Sequence, residues 1–194
     1  MAATEFAIIM PILTTLLFGL LEVTDAMTAN RRVSIATNTS VDLAAQAVTL
    51  DPDSLSGLFD ASITILEPAV LTDIAIIFVS VRLDPMTDDP IVAWSARVTL
   101  NEDEDIIVQD GDDAPYQPGD DFNNLGSNFA SGSTGLTLNS GGSVLYSEVT
   151  YPYNTMFSHR FVDEVINFSR SAIRTPRLVP RISFCDTNGD NCLQ

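Results

Sequence analysis

Sixteen consecutive residues, Phe6 to Leu21, carry no charge, and the only polar side chains among them are Thr14 and Thr15. This run limits what the chain can become, because about 20 apolar residues in a helix span the core of a bilayer. Counted from Met1, the stretch MAATEFAIIMPILTTLLFGLL reaches that length, but it then encloses Glu5. A carboxylate at the bilayer centre costs about 2.5–3.5 kcal/mol or more. Glu5 therefore needs a cationic partner, and the nearest candidate is an α-amino group at Met1, its own or a neighbour's. A secretory signal peptide fits poorly, since no basic region precedes the apolar run and its cleavage box is unclear. The charges that follow Leu21 are Glu22 and Asp25, an acidic exit suited to the outer face.

Beyond the apolar run the helical period continues. Val33, Thr37, Val41, Ala44 and Val48 recur at spacings of three and four, with Arg31, Asn38 and Asp42 on the opposite face. The pattern predicts one helix over residues 1–50. Residues 1–21 would lie in a membrane or filament core, and residues 22–50 would form an amphipathic continuation packed on a domain. Asp51-Pro52 is expected to end this helix. Asp53-Ser54 is expected to cap a second one reaching Leu66.

Residues 51–194 then read as an exposed, β-rich globular domain. The predicted main strands are Ile74–Val81, Ile91–Leu100, Val144–Tyr153 and Arg177–Phe184. The first is almost wholly apolar, so both of its faces should be covered. Trp94 is expected in the core, and residues 159–168 as a short helix or loop. The segment 101–142 is an insertion on the outer surface. It carries nine acids and no base between Asn101 and Asp121, then turns rich in Gly, Ser and Asn. Short strands are expected in it at Ile106–Val108 and Leu136–Leu138. The fold class is therefore α+β, a long N-terminal helix packed on a roughly four-stranded antiparallel sheet.

The charge balance excludes some functions. Net charge is −17 and all nine basic residues are arginines, so nucleic acid is not an expected partner. Arg160, Arg170, Arg174, Arg177 and Arg181 would pair either with acidic surfaces of neighbouring subunits or with the acidic insertion. His159 is the single histidine, and the sequence holds no GxSxG, HExxH, Walker or GxGxxG pattern, so no catalytic residues are assigned. Cys185 and Cys192 lie close in sequence and read as a disulfide, which implies an oxidising compartment. Asp186, Asn188 and Asp190 place oxygen side chains at alternate positions, as calcium loops do, and are the candidate metal ligands. The loop departs from a full calcium loop: Gly189 comes early and no Glu stands at its twelfth position.

Met-Ala-Ala-Thr-Glu5-Phe6, followed by an apolar run interrupted by Pro11, resembles the mature N-terminus of a type IV pilin. The wording AATEFAIIMPIL…LFGLLE, continued by Arg32-Val33-Ser34-Ile35-Ala36, is similar to the TadE/TadG-like pilins of tight-adherence (Tad) pili over residues 1–48. A weaker likeness lies at Ser147-Glu148-Val149-Thr150-Tyr151-Pro152-Tyr153. The resemblance implies a pilin-like fold and a prepilin peptidase that removes a basic leader ahead of Met1. It implies assembly through Met1, Glu5, Phe6 and Pro11, with Glu5 offsetting the amine of a neighbouring subunit and Pro11 marking where the helix loosens in the filament. Its implied partners are further copies or other pilins in a helical filament. The location would be the inner membrane before assembly and an extracellular pilus afterwards. The alternative is a low-copy minor pilin or a membrane-anchored assembly or adhesion factor.

Overall fold

The computed structural model describes residues 2–66, 73–87, 89–100, 105–121, 141–153, 166–186 and 192–193. Its elements are α1 (Ala2–Ala44), β1 (Thr49–Leu50), α2 (Pro52–Leu66), β2 (Ala75–Leu83), β3 (Pro90–Leu100), β4 (Ile106–Gln109), a 3-10 turn (Gly111–Asp113), β5 (Ser143–Tyr153), β6 (Ile166–Arg174), β7 (Ser183–Cys185) and β8 (Cys192–Leu193). The fold is α+β. A five-stranded antiparallel sheet in the order β4-β3-β2-β5-β6 carries both helices on one face. A second sheet, β1-β7-β8, closes one side.

The long helix stops at Ala44, short of the predicted Leu50. Gln46 N donates to Leu43 O and Ala47 N to Ala44 O, both at 3.1 Å, which tightens the last turn. Arg177 N then takes the Ala45 carbonyl at 3.0 Å, and Thr49 and Leu50 pair in parallel with Ser183 and Phe184. Tertiary pairing of the residues after Ala44, rather than the proline, ends the helix. Val48, predicted on the packing stripe, is consequently exposed. Asp51 and Pro52 begin α2 instead of ending α1. The Asp51 carboxylate accepts from Ser54 N at 2.7 Å as an N-cap, and Pro52 takes the first helical position. That bond, with the Ser54 hydroxyl, holds Asp51 below the usual carboxylate range. The predicted cap at Asp53-Ser54 thus shifts to Asp51, while the helix end at Leu66 stands.

The docked part of α1 is fastened by small residues. Val33, Ala36, Thr37, Ser40, Val41 and Ala44 are fully buried. Thr37 and Ser40 hydroxyls bond back to Val33 O and Thr37 O, so this stripe brings few unsatisfied polar groups into the core. Leu55, Phe59 and Leu66 of α2 join Ile76 and Phe78 of β2, Trp94, Ala96 and Val98 of β3, and Leu145 and Val149 of β5 in one core. Each such large side chain contributes about 1.5–3 kcal/mol of burial. Trp94 Nε1 donates to Ile182 O at 2.8 Å, which satisfies the indole and pins the segment before β7.

Both faces of β2 are covered, as its apolar run requires. Val79 and Val81 form a second cluster on the back of the sheet with Val92, Val144 and Tyr146, capped by Tyr116. Ser95 Oγ donates to Tyr116 O at 2.7 Å and accepts from Tyr116 N at 3.1 Å. The described first part of the insertion is therefore fastened to β3. Its predicted strand appears as β4, while Leu136–Leu138 lies outside the described residues. The predicted main strand Arg177–Phe184 is corrected. Only Ser183–Cys185 is a strand, in the small sheet, and the main-sheet position beside β5 belongs to β6. The prolines at 176 and 180 cannot donate to a ladder, which accounts for the irregular stretch before β7.

Candidate functional site

Among the described residues, most apolar side chains in the first part of α1 stay exposed. Phe6, Ile8, Leu16, Leu20 and Met27 are 64%, 72%, 65%, 66% and 69% exposed. Ile9, Ile12, Leu13, Leu17, Leu21 and Val23 are exposed as well, so the bare surface is not confined to one stripe. Residues 5–44 form a helix long and apolar enough to cross a membrane. At 1.5 Å per residue, Phe6–Leu21 spans about 24 Å, most of a bilayer core.

The threonine hydroxyls of this segment are internally satisfied. Thr14 Oγ1 donates to Met10 O and Thr15 Oγ1 to Pro11 O, each at 2.8 Å, and Thr24 Oγ1 donates likewise to Leu20 O. Such back-bonds hide hydroxyls from an apolar surrounding. Glu5 is exposed near the helix start, and Met1, its expected partner, lies outside the described residues. The helix runs unbroken through Pro11 in the single chain. Pro11 lacks an N–H, which leaves the Ala7 carbonyl without its helical donor.

Where the helix meets the domain, Glu22, Ala26, Ala29 and Asn30 turn partly inward. Tyr153, at the end of β5, donates its hydroxyl to Glu22 Oε1 at 3.4 Å and packs on Phe168 with ring centroids 5.5 Å apart. Burial first, then the charges of Glu22 and Asp25, push the Tyr153 hydroxyl up to about 12. Burial raises Tyr151 too, against the opposing pull of Arg32. In the sequence this Tyr-Pro-Tyr reads as the end of a strand and of the weaker family likeness, with no contact to the helix implied. Its signal was the alternation Leu145, Ser147, Val149, Tyr151, Tyr153, which puts both tyrosines on the helix face.

The other predicted residues lie apart from this segment. Cys185 and Cys192 form a disulfide that joins β7 to β8. Asp186 follows it, while Asn188 and Asp190 lie outside the described residues, as do His159 and Arg160. Arg174 and Arg177 both reach Asp42 on α1, not the insertion, and Arg174 also donates to Asn38 Oδ1 at 3.1 Å. With no basic residue in its last turn, α1 receives from β6 and its successor the cations that suit a helix C-terminus. Arg181 Nε donates to Gly141 O at 3.0 Å.

Searches of curated proteins and of solved structures return no match. The likeness noted at Ser147–Tyr153 lies beyond the region that a family model matches. That model, described as TadE-like protein, matches residues 1–42, nearly the whole of α1, and so the exposed apolar helix with its docking stripe is similar to the TadE-like family over that segment.

Proposed function

We propose that the chain is a structural subunit of an extracellular Tad-class pilus, assembled through the N-terminal part of α1. One observation carries this reading: a single helix is bare over its first half and docked over its second. A bare apolar surface of that size requires lipid before assembly and neighbouring helices afterwards. Glu5 would offset the free amine that leader removal leaves on an adjacent subunit, as opposite charges in a low-dielectric setting attract strongly. The domain from β1 onward would coat the fibre.

The test is Glu5→Gln in cells that make the fibre, with sheared filaments counted by electron microscopy. Loss of most filaments, with the protein still present in the inner membrane, is the expected result. Undiminished filaments would overturn the role given to Glu5. Quantifying the chain in purified fibres separates a repeating subunit, present in every helical repeat, from a minor pilin present in few copies. N-terminal sequencing that begins at Met1 would agree with prepilin peptidase processing. Recovery only as a longer membrane-held precursor would assign the chain to an anchored accessory protein.

A further inference from the structure

The two outer edges of the five-stranded sheet carry opposite charge. Along one edge, β4 pairs with residues 97–100 of β3. Gly119 N donates to Val92 O at 2.8 Å and Val92 N to Asp120 O at 2.9 Å, which continues that edge to the other end of β3. Residues 105–121 hold six aspartates (105, 110, 112, 113, 120 and 121) and no basic residue. Asp112, Asp113, Asp120 and Asp121 are exposed. The opposite edge is β6. β6 itself carries Arg170 and Arg174, and the chain that follows it as far as Cys185 adds Arg177 and Arg181 and no acid. Asp42 takes Arg174 and Arg177 together, so two guanidinium groups share one carboxylate, and Arg170 stands exposed four residues earlier on the same strand.

Four strand spacings separate the edges, about 19 Å at 4.8 Å each. That exceeds the Debye length of about 8 Å at physiological salt, so the edges do not neutralise one another within one copy. Two like edges repel, which disfavours a symmetric pair. We propose that these domains associate edge to edge, the β6 arginines of one copy facing the β4-side aspartates of the next. Such a contact is heterologous and need not close, so it can repeat in an open row. It takes the pilus reading as its setting and adds which domain surfaces meet. Exposed ion pairs are individually weak, so the contact sets orientation and register rather than supplying most of the attraction.

The test uses the full chain in phosphatidylcholine vesicles. Ser171→Cys on β6 and Ile107→Cys on β4 replace exposed residues and leave all charges in place. Mild oxidation of a mixture of the two variants should give a mixed dimer, and either variant alone should give little. Adding Arg170→Glu to the Ser171→Cys chain should cut the mixed dimer about fivefold. Asp112→Arg with Asp113→Arg on the Ile107→Cys chain should do the same alone and restore the yield when combined with Arg170→Glu. Raising salt from about 0.05 M to about 0.5 M should suppress the dimer. Equal yields from single-variant and mixed samples, or no effect of both charge reversals, would overturn the proposal. The vesicles contain no fibres, so the two readings fail separately. Fibres insensitive to Glu5→Gln alongside a charge-dependent mixed dimer would defeat the Glu5 docking and leave the edge contact. Loss of fibres in Glu5→Gln without a mixed dimer would do the reverse.

Discussion

The two halves of α1 share one backbone and meet opposite fates. From Val33 to Ala44 the inward residues are small or β-branched, and the sheet buries them completely. From Phe6 to Leu21 the residues are larger and more apolar, yet among the described residues most of them, Ile8, Leu16 and Leu20 included, stay exposed. Hydrophobicity alone therefore does not determine what a helix packs against. The docked half is shaped for its own sheet, with serine, threonine and alanine admitting close approach. The bare half is bulky on many sides, a surface suited to lipid or to several helical neighbours at once.

The strongest way to break this contrast is to place the same charge in each half. Val33→Asp would bury an unpartnered carboxylate and lower the domain's stability by about 3–5 kcal/mol. Urea unfolding of the detergent-solubilised full chain, followed by circular dichroism, measures this. Leu17→Asp should leave that transition within about 0.5 kcal/mol of the parent, while reducing membrane insertion, for which a central Asp costs about 2.5–3.5 kcal/mol. Equal destabilisation by both would show that the bare half also packs on the domain.

A smaller effect is expected at the junction after the docked half. Asp51→Ala removes the cap of α2 and should cost about 1 kcal/mol. The folded carboxyl titrates below its ordinary value, so its contribution is complete above about pH 4 and is lost as pH falls through the folded value. The cost of Asp51→Ala should therefore shrink in urea titrations at low pH and stay constant at neutral pH.

The smallest effect is expected where the halves meet. Tyr153→Phe gives up one long hydrogen bond to Glu22, worth about 0.5–1 kcal/mol. Its sign with pH is distinctive. The folded hydroxyl titrates at about 12, above its ordinary value near 10, so the native protein loses stability as pH rises across that interval. Tyr153→Phe should flatten that loss in alkaline unfolding curves, and an unchanged alkaline slope would show that Tyr153 does not couple the halves.

The sequence made the long helix, the apolar span and four of the five strands of the main sheet legible, because most of these carry a periodic or uniform pattern. It misplaced what depends on distant partners. Ala45 to Leu50 reads as helix by propensity, but Arg177 and Ser183–Phe184 claim its backbone groups. Residues 166–174 carry exposed arginines and serines with little apolar alternation, because β6 is an edge strand with helix on one face only, and so its strand character was faint. The partner of Arg174 and Arg177 was likewise hidden, since Asp42 lies more than a hundred residues away in sequence.

Trp94 is the single tryptophan. It is fully buried, bonded to Ile182 O and 5.3 Å from the Phe184 ring. Its fluorescence is therefore a private signal of the domain, blind to the bare helix some distance away. A red shift on adding denaturant reports release of the C-terminal segment from β3, and an unshifted spectrum as detergent is exchanged for lipid reports that only the helix has changed its surroundings.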